Sequence, residues 1–326
     1  MDGRSAAREG ADVGTYRPAK LLDITVLMGG PSAEREVSFM SGTAIAEALE
    51  RIGHRVTRAD ILPNDPSALD GKGIDVVFIA LHGEFGESGG VQRLCEARHL
   101  RYTGSPPRAS ELAMDKAASK QFFRQAGLAT PDWMIIEDFH SPQQYRPWLA
   151  ELPPPVVLKP VDGGSSVDIT IARSEASRDE ALQDMLEKYG RAMLERLIEG
   201  RELTVGILGD QALPLLEVIP AREFYDYVAK YSDGAGTRYV FDHGLPDETV
   251  QAVQAAAIAA HQALGCRDMS RVDFILKADG ELQVLEINTI PGFTSHSLLP
   301  MAAARAGIGF EELVDRIASM AAQRQP

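Results

Sequence analysis

The side chains hardest to explain as packing are Arg271, Asp273, Glu286 and Asn288, carried on two β-rich runs that flank Asp279-Gly280. An Asp-Gly dipeptide between such runs marks a hairpin. If Asp279-Gly280 is a two-residue turn, Ala278 faces Glu281, and counting outward sets Asp273 against Glu286 and Arg271 against Asn288. Opposed residues share a face, as do residues two apart on one strand, so all four project to one side. Facing carboxylates repel unless one is protonated or a cation lies between them. Asp273, Glu286 and Asn288 are hard oxygen donors of the kind that hold Mg²⁺ against phosphates. Val272, Phe274, Val284 and Ile287 fall on the other face, as core, and a solvated polar strand face would show the same alternation.

Asn288 leads into Thr289-Ile290-Pro291-Gly292-Phe293-Thr294-Ser295-His296-Ser297-Leu298. Backbone N–H groups at this Pro-Gly turn, beside Arg271, suit a developing oxyanion, and a helix start at Ser297 suits a carboxylate. Helix capping by Ser295 or Ser297 is the plainer alternative. A second cluster, Lys159-Pro160-Val161-Asp162-Gly163-Gly164-Ser165-Ser166, is a strand ending in a lysine followed by a Gly/Ser loop. Such loops cover polyphosphates with N–H groups while lysine supplies point charge, although a lone GGSS also serves as a linker. The spacing is not that of a P-loop. The third cluster, Gly29 to Glu36, follows the first strand, where open α/β sheets place ligands, and lacks the dinucleotide fingerprint. His82 ends the next strand at the same sheet edge, and either faces that ligand or is a loop histidine without a role.

These groups need elements to hold them. Apolar runs at Leu22 to Met28 and Ile74 to Leu81 read as buried strands, with helices over Val37 to Ile52 and Val91 to Ala97. The alternation predicts a parallel, Rossmann-like sheet. A helix from Asp115 to Gly127, Trp133 to Ile136 and the strand Val156 to Lys159 fit a smaller α+β unit. Leu203 to Leu208 and Ala212 to Val218, flanking Gly209-Asp210, predict another hairpin, and the Ala-rich Val250 to Leu264 a packing helix.

The chain of 326 residues is 44% hydrophobic and 25% charged, with a formal charge of −14. That charge argues against a nucleic-acid partner, since phosphate-backbone affinity needs clustered Lys and Arg. Cys95 and Cys266 are too few for a disulfide framework and point to a reducing, cytoplasmic setting. Residues 1–20 are polar, read as a flexible extension, and no apolar run is long enough to cross a membrane.

Together, GGPSAEREVS, ALHGEFGESGGVQ, YTGS, MDK, VLKPVDGGSSV, YDYVAKY, SRVDF and LEINTIPGFTSHSLLP closely resemble, in order, the motifs of the D-alanine:D-alanine ligases of the ATP-grasp superfamily, over about Leu22 to Ala318. The resemblance implies an α/β, three-domain ATP-grasp fold with a Rossmann-like N-terminal domain. Its units would be residues 21–115, 116–205 and 206–326, with ATP between the last two. By position, Glu34 would orient the first D-alanine's ammonium with Ser165 and Tyr231, with His82 nearby. Lys116 and Lys159 would contact the nucleotide phosphates; Glu195, Arg196, Leu197 and Ile198 would form the adenine-binding strand segment, and Glu202 would hold the ribose. Asp273, Glu286 and Asn288 would bind two Mg²⁺ ions, with Mn²⁺ as a substitute. Arg271 and the Gly292 N–H would stabilise the acyl-phosphate and tetrahedral species. Lys230, Ser297 and Leu298 would receive the second D-alanine's carboxylate.

This sequence departs from the family pattern at Gly163 and Asp168 in the glycine-rich loop, in the glycine-rich Ser232 to Thr237, and at Leu197, where many members place an aromatic. The implied partners are small molecules, ATP and D-alanine, in a homodimer. Tyr231 resembles the dipeptide-forming type; D-alanyl-D-lactate or D-alanyl-D-serine synthesis and a silent ATP-binding module are the alternatives. An NAD-dependent dehydrogenase is disfavoured by the missing fingerprint.

Overall fold

The computed structural model describes residues 16–162, 168–220, 236–294 and 296–325. Three sheets organise them. In the first, β1 (Asp23–Met28) pairs in parallel with β2 (Arg55–Asp60) and β3 (Val76–Ile79). Alternate side chains fill two cores: Ile24, Val26 and Phe78 meet α1 (Arg35–Arg51) on one face, while Leu27, Val77 and Ile79 pack with Val91 and Cys95 on the other. Burial on both faces is why these strands read as continuous apolar runs. Strand β2 escapes the sequence reading because it is an edge, with Arg55, Thr57, Arg58 and Asp60 exposed. Short helices α2 (Glu84–Glu87) and α3 (Gly90–Glu96) follow β3.

The first core is completed from the far end of the chain, by Leu313, Val314, Ile317 and Ala321. A buried polar pair supports the same contact: His54 Nδ1 accepts the Leu22 N–H, and Nε2 lies 2.8 Å from Asp315 Oδ1. Tyr16 donates to Asp315 Oδ2 at 2.5 Å, so the expected flexible extension is already anchored at this residue.

Helices α4 (Pro107–Met114) and α5 (Lys116–Gln125) come next, the latter begun by the Asp115 carboxylate accepting from Ala118 N–H at 2.9 Å. Their residues Ala109, Ala113 and Phe123 belong to the core of the third sheet, not the second. The second sheet is antiparallel, ordered β4-β7-β5-β6. It comprises β4 (Trp133–Glu137), β5 (Val156–Lys159), β6 (Thr170–Ala172) and β7 (Arg191–Arg196). Leu149 of α6 (Pro142–Leu149) and Leu182 and Met185 of α7 (Glu175–Tyr189) cover one face.

The third sheet centres on β8 (Arg201–Leu208), which pairs antiparallel with β9 (Gln211–Ala212), β10 (Leu216–Ile219) and β12 (Met269–Leu276). Strand β11 (Arg238–Val240) extends it beyond β10, and β13 (Leu282–Asn288) pairs with β12 at the other edge. Residue 205 therefore lies inside a strand, and the expected division between 205 and 206 does not fall on a boundary. Gly209-Asp210 is the predicted two-residue turn, pairing Leu208 with Gln211, but the register slips by one across Leu213-Pro214-Leu215 before Leu216 meets Thr204. Helix α8 (Asp247–Ala263) covers the sheet with Val253, Ala257 and Ala260; α9 (Leu298–Arg305) and α10 (Phe310–Ala322) close the chain.

Candidate active site

The hairpin β12–β13 sets Arg271 opposite Asn288 and Asp273 opposite Glu286, as predicted, by a different route. Lys277 N–H bonds Glu281 O, and Gly280, at φ +88, bonds back to Lys277 O, so Ala278, Asp279 and Gly280 form a three-residue loop. This is a type I turn closed by a left-handed glycine, and it pairs Leu276 with Leu282. A bulge at Leu285, between the Phe274–Val284 and Asp273–Glu286 pairs, then restores the counted register.

Val272, Phe274, Val284 and Ile287 are core, as anticipated, and the polar four share the half-buried face. There Asp273 accepts from Arg271 Nε at 3.0 Å and Nη2 at 2.9 Å, and from Thr204 Oγ1 at 2.6 Å. Asn288 Oδ1 accepts the Ile290 N–H at 2.8 Å, fixing the amide at the start of the following turn. Lys116 Nζ lies 3.9 Å from Glu286 Oε2. Glu202 sits two residues before Thr204 on β8, so it shares this sheet face.

The Pro-Gly turn is built closely against its neighbours. A Cβ at Gly292 would lie 2.6 Å from Ser297 Oγ, so any larger residue would push that hydroxyl aside. Ser297 precedes α9, yet its hydroxyl makes no forward cap; it accepts the Thr294 N–H at 2.9 Å and so braces the turn. The Leu298 side chain is buried with Leu216 and Val218. Phe293 N–H donates to Ser41 Oγ at 3.3 Å, and Ser41 Oγ lies 3.1 Å from His82 Nε2. His82 also accepts through its carbonyl from Ser32 Oγ, while Ser38 Oγ receives its N–H. Burial drives its imidazole pKa down to about 4, so His82 is neutral and joins the first sheet to the turn.

Glu34 stands at the mouth of α1, and its Oε2 would lie 3.3 Å from a Cβ on Gly83. Gly83 N–H in turn donates to Glu87 Oε2 at 2.7 Å. Burial, then the neighbouring Glu34 charge, pushes the Glu87 carboxyl up to about 8, while Arg271 and Lys116 act in the opposite sense. The Glu34 end of the first sheet and the Arg271 face of the third thus meet within electrostatic reach.

On the second sheet, Lys159 Nζ lies 3.1 Å from Glu195 Oε1 and Lys120 Nζ 2.7 Å from Glu195 Oε2, all three side chains being buried. Burial alone would raise the Glu195 pKa, but the two lysines outweigh it and hold the carboxyl below its ordinary value. Strand β7 ends at Arg196, so Leu197 and Ile198 form the link into β8 rather than part of a strand. Arg196 N–H bonds Asp132 O and Leu197 N–H bonds Pro155 O. Ser165, Lys230 and Tyr231 lie outside the described residues.

Sequence reasoning missed Lys120, Glu87, Thr204 and Ser41. Lys120 sits on an amphipathic helix that reads as solvated, and only the distant Glu195 marks it as buried. Glu87 lies within ALHGEFGESGGVQ but gains its environment from Gly83 and Glu34.

Compared with known proteins, the chain is 45% identical over 307 residues to a D-alanine--D-alanine ligase of Synechococcus sp., covering 93% of this chain and 94% of the relative. The chain belongs to the D-alanine–D-alanine ligase family. The family description "D-ala D-ala ligase C-terminus" matches residues 122–319. The fold is the α/β ATP-grasp fold of these ligases: the D-alanine–D-alanine ligase of Bacillus anthracis complexed with ATP superposes with a TM-score of 0.81 at 34% identity, covering 93% of this chain and 97% of that one. A D-Ala:D-Ser ligase, VanG, from Enterococcus faecalis also reaches 0.81, at 26% identity over 93% of this chain and 100% of that one. Ligases named for different acceptors thus share the architecture.

Proposed function

We propose that this chain joins two D-alanines into D-alanyl-D-alanine, a building block of peptidoglycan, at the expense of ATP. The observation that carries the reading is the meeting of Glu34 and His82 from the first sheet with Arg271, Asp273, Glu286 and Asn288 from the third, beside Lys116. In this reading a carboxylate oxygen of the first D-alanine attacks the γ-phosphorus and ADP leaves. The amine of the second D-alanine then attacks the acyl phosphate, phosphate departs, and the amine's proton passes to solvent. No covalent protein nucleophile is required, and positioning with charge neutralisation supplies most of the acceleration.

Asp273, Glu286 and Asn288 supply two carboxylates and an amide on one face, a partial oxygen shell of the kind Mg²⁺ completes with phosphate oxygens and water. When bound, Mg²⁺ neutralises phosphate charge. Arg271 and the Gly292 N–H face the acyl carbon, Glu34 with Ser165 and Tyr231 takes the first ammonium, and Lys230, Ser297 and the Leu298 backbone take the second carboxylate. Lys159 meets phosphate, the 195–198 segment the base, and Glu202 the ribose.

The three folding units of the proposal have their second boundary at residues 197–200, between β7 and β8. A cytoplasmic homodimer belongs to the same reading. Its supports are the resemblance and, for the compartment, two buried free cysteines. Mass spectrometry of products formed from ATP, Mg²⁺ and a panel of D- and L-amino acids with D-lactate tests the activity. A dominant product other than D-alanyl-D-alanine would overturn it.

A further inference from the structure

Lys120 is fully buried, and its ammonium is surrounded by acceptors: Glu195 Oε2 at 2.7 Å, Thr130 Oγ1 at 2.6 Å and Pro131 O at 3.5 Å. The Trp133 ring lies beneath it at 5.6 Å. Two hydrogen bonds and a close ion pair surround the ammonium, so the group is held in place and does not extend toward a ligand. Thr130 Oγ1 passes the connection on, donating to Val284 O at 2.7 Å, next to the Leu285 bulge. Lys159 lies on the other side of Glu195, 3.1 Å from Oε1.

Charge counting gives this arrangement its meaning. A carboxylate given wholly to Lys159 would neutralise it, and a neutralised pair has little attraction left for a phosphate. Divided between two lysines, the same carboxylate leaves the cluster with a net positive charge. Resting on the reading of Lys159 as a phosphate contact, we propose that Lys120 is a positioning residue that shares Glu195 so that Lys159 stays electropositive toward the polyphosphate of the nucleotide. Burial pulls the Lys120 pKa down to about 8 although Glu195 pulls it up, so the group still carries charge near neutral pH.

The test compares ATP and adenosine binding, in Mg²⁺, by calorimetry and competition, for the unaltered protein, Lys120→Met and Lys120→Met/Glu195→Gln. Lys120→Met should weaken ATP about tenfold, a modest fraction of one close charge–charge interaction, and adenosine less than twofold. The double variant, which again carries one net positive charge on Lys159, should recover most of the preference for ATP over adenosine. Equal weakening of both ligands would assign Lys120 to the scaffold alone and overturn the proposal, as would unchanged ATP binding. If Lys120→Met does not fold, the double variant decides: a preference well below that of the unaltered protein overturns the proposal. Absence of ATP binding by the unaltered protein would instead remove the nucleotide reading itself, and the proposal with it.

Discussion

Arg271 holds both carboxylate oxygens of Asp273, with Nε 3.0 Å from Oδ1 and Nη2 2.9 Å from Oδ2. A cation arriving between Asp273 and Glu286 must therefore share Asp273 with a guanidinium, and Glu286 and Asn288 become the more decisive ligands. Glu286→Gln and Asn288→Ala should each lower turnover by at least about 100-fold while the melting temperature stays within a few degrees, because both positions lie on the half-buried polar face. ADP release at saturating Mg²⁺ is the measurement, and near-normal rates in both variants would remove the metal assignment.

Glu87 sets a slope of stability against pH. Its folded pKa, about 8, is above the ordinary carboxyl value of 4.5, so between these pH values the folded chain keeps a proton that the unfolded chain has lost. Stability from this group is full below pH 4.5 and declines as pH rises toward 8. His82, lowered from 6.5 to about 4, gives the opposite slope, confined below pH 6.5. Lys120, lowered to about 8, opposes Glu87 toward the top of this range, so the window from 6.5 to about 7 reports mainly on Glu87. Urea midpoints should fall across it and Glu87→Gln should flatten the decline; an equally steep decline in the variant would contradict the assignment.

Asp315 couples the two ends of the chain, with a side chain 4% exposed against a fully buried His54. Burial alone would raise its pKa, but His54 and Tyr16 outweigh it and lower the carboxyl, so its contribution is present above the ordinary carboxylate pKa and disappears as pH falls through the lowered folded value. Asp315→Ala leaves the buried His54 Nε2–H without its acceptor and should remove about 2 to 3 kcal/mol at pH 7, read by urea denaturation. Tyr16→Phe, which leaves the His54–Asp315 hydrogen bond intact, should remove only about 1 kcal/mol. Equal losses would mean that the pair is not the anchor.

Gly292→Ala would force Ser297 Oγ away from a Cβ 2.6 Å distant and break its bond with the Thr294 N–H. Activity should drop about 10- to 100-fold with a stability loss of about 1 to 2 kcal/mol. Steady-state kinetics beside a thermal melt separates the two effects, and full activity would show that the turn tolerates displacement.

The polar face of β12–β13 was legible because alternation is local, and local pattern survives without tertiary knowledge. Its register came out right through two opposed irregularities, a loop one residue longer than counted and a bulge that takes the residue back; neither Gly280 nor Leu285 announces which it will be. Strand β2 was lost because its exposed edge lacks apolar periodicity. Lys120 and Glu87 were invisible for a deeper reason: their chemistry is made by burial and by Glu195 and Glu34, which no spacing rule reaches.

The core that joins Ile24, Val26 and Phe78 to Leu313, Val314 and Ile317 has a consequence for synthesis. The ribosome makes the first sheet and α1 early, yet α10, which completes their shared core, is made much later. While α10 is still in the exit tunnel, the part of that apolar face that α1 leaves uncovered has no partner, and the nascent chain offers it to chaperones or to neighbouring chains. Folding in the order of translation therefore cannot finish the first unit first. Emergence of α10, rather than of residue 115, is the moment at which the core of the N-terminal part becomes complete.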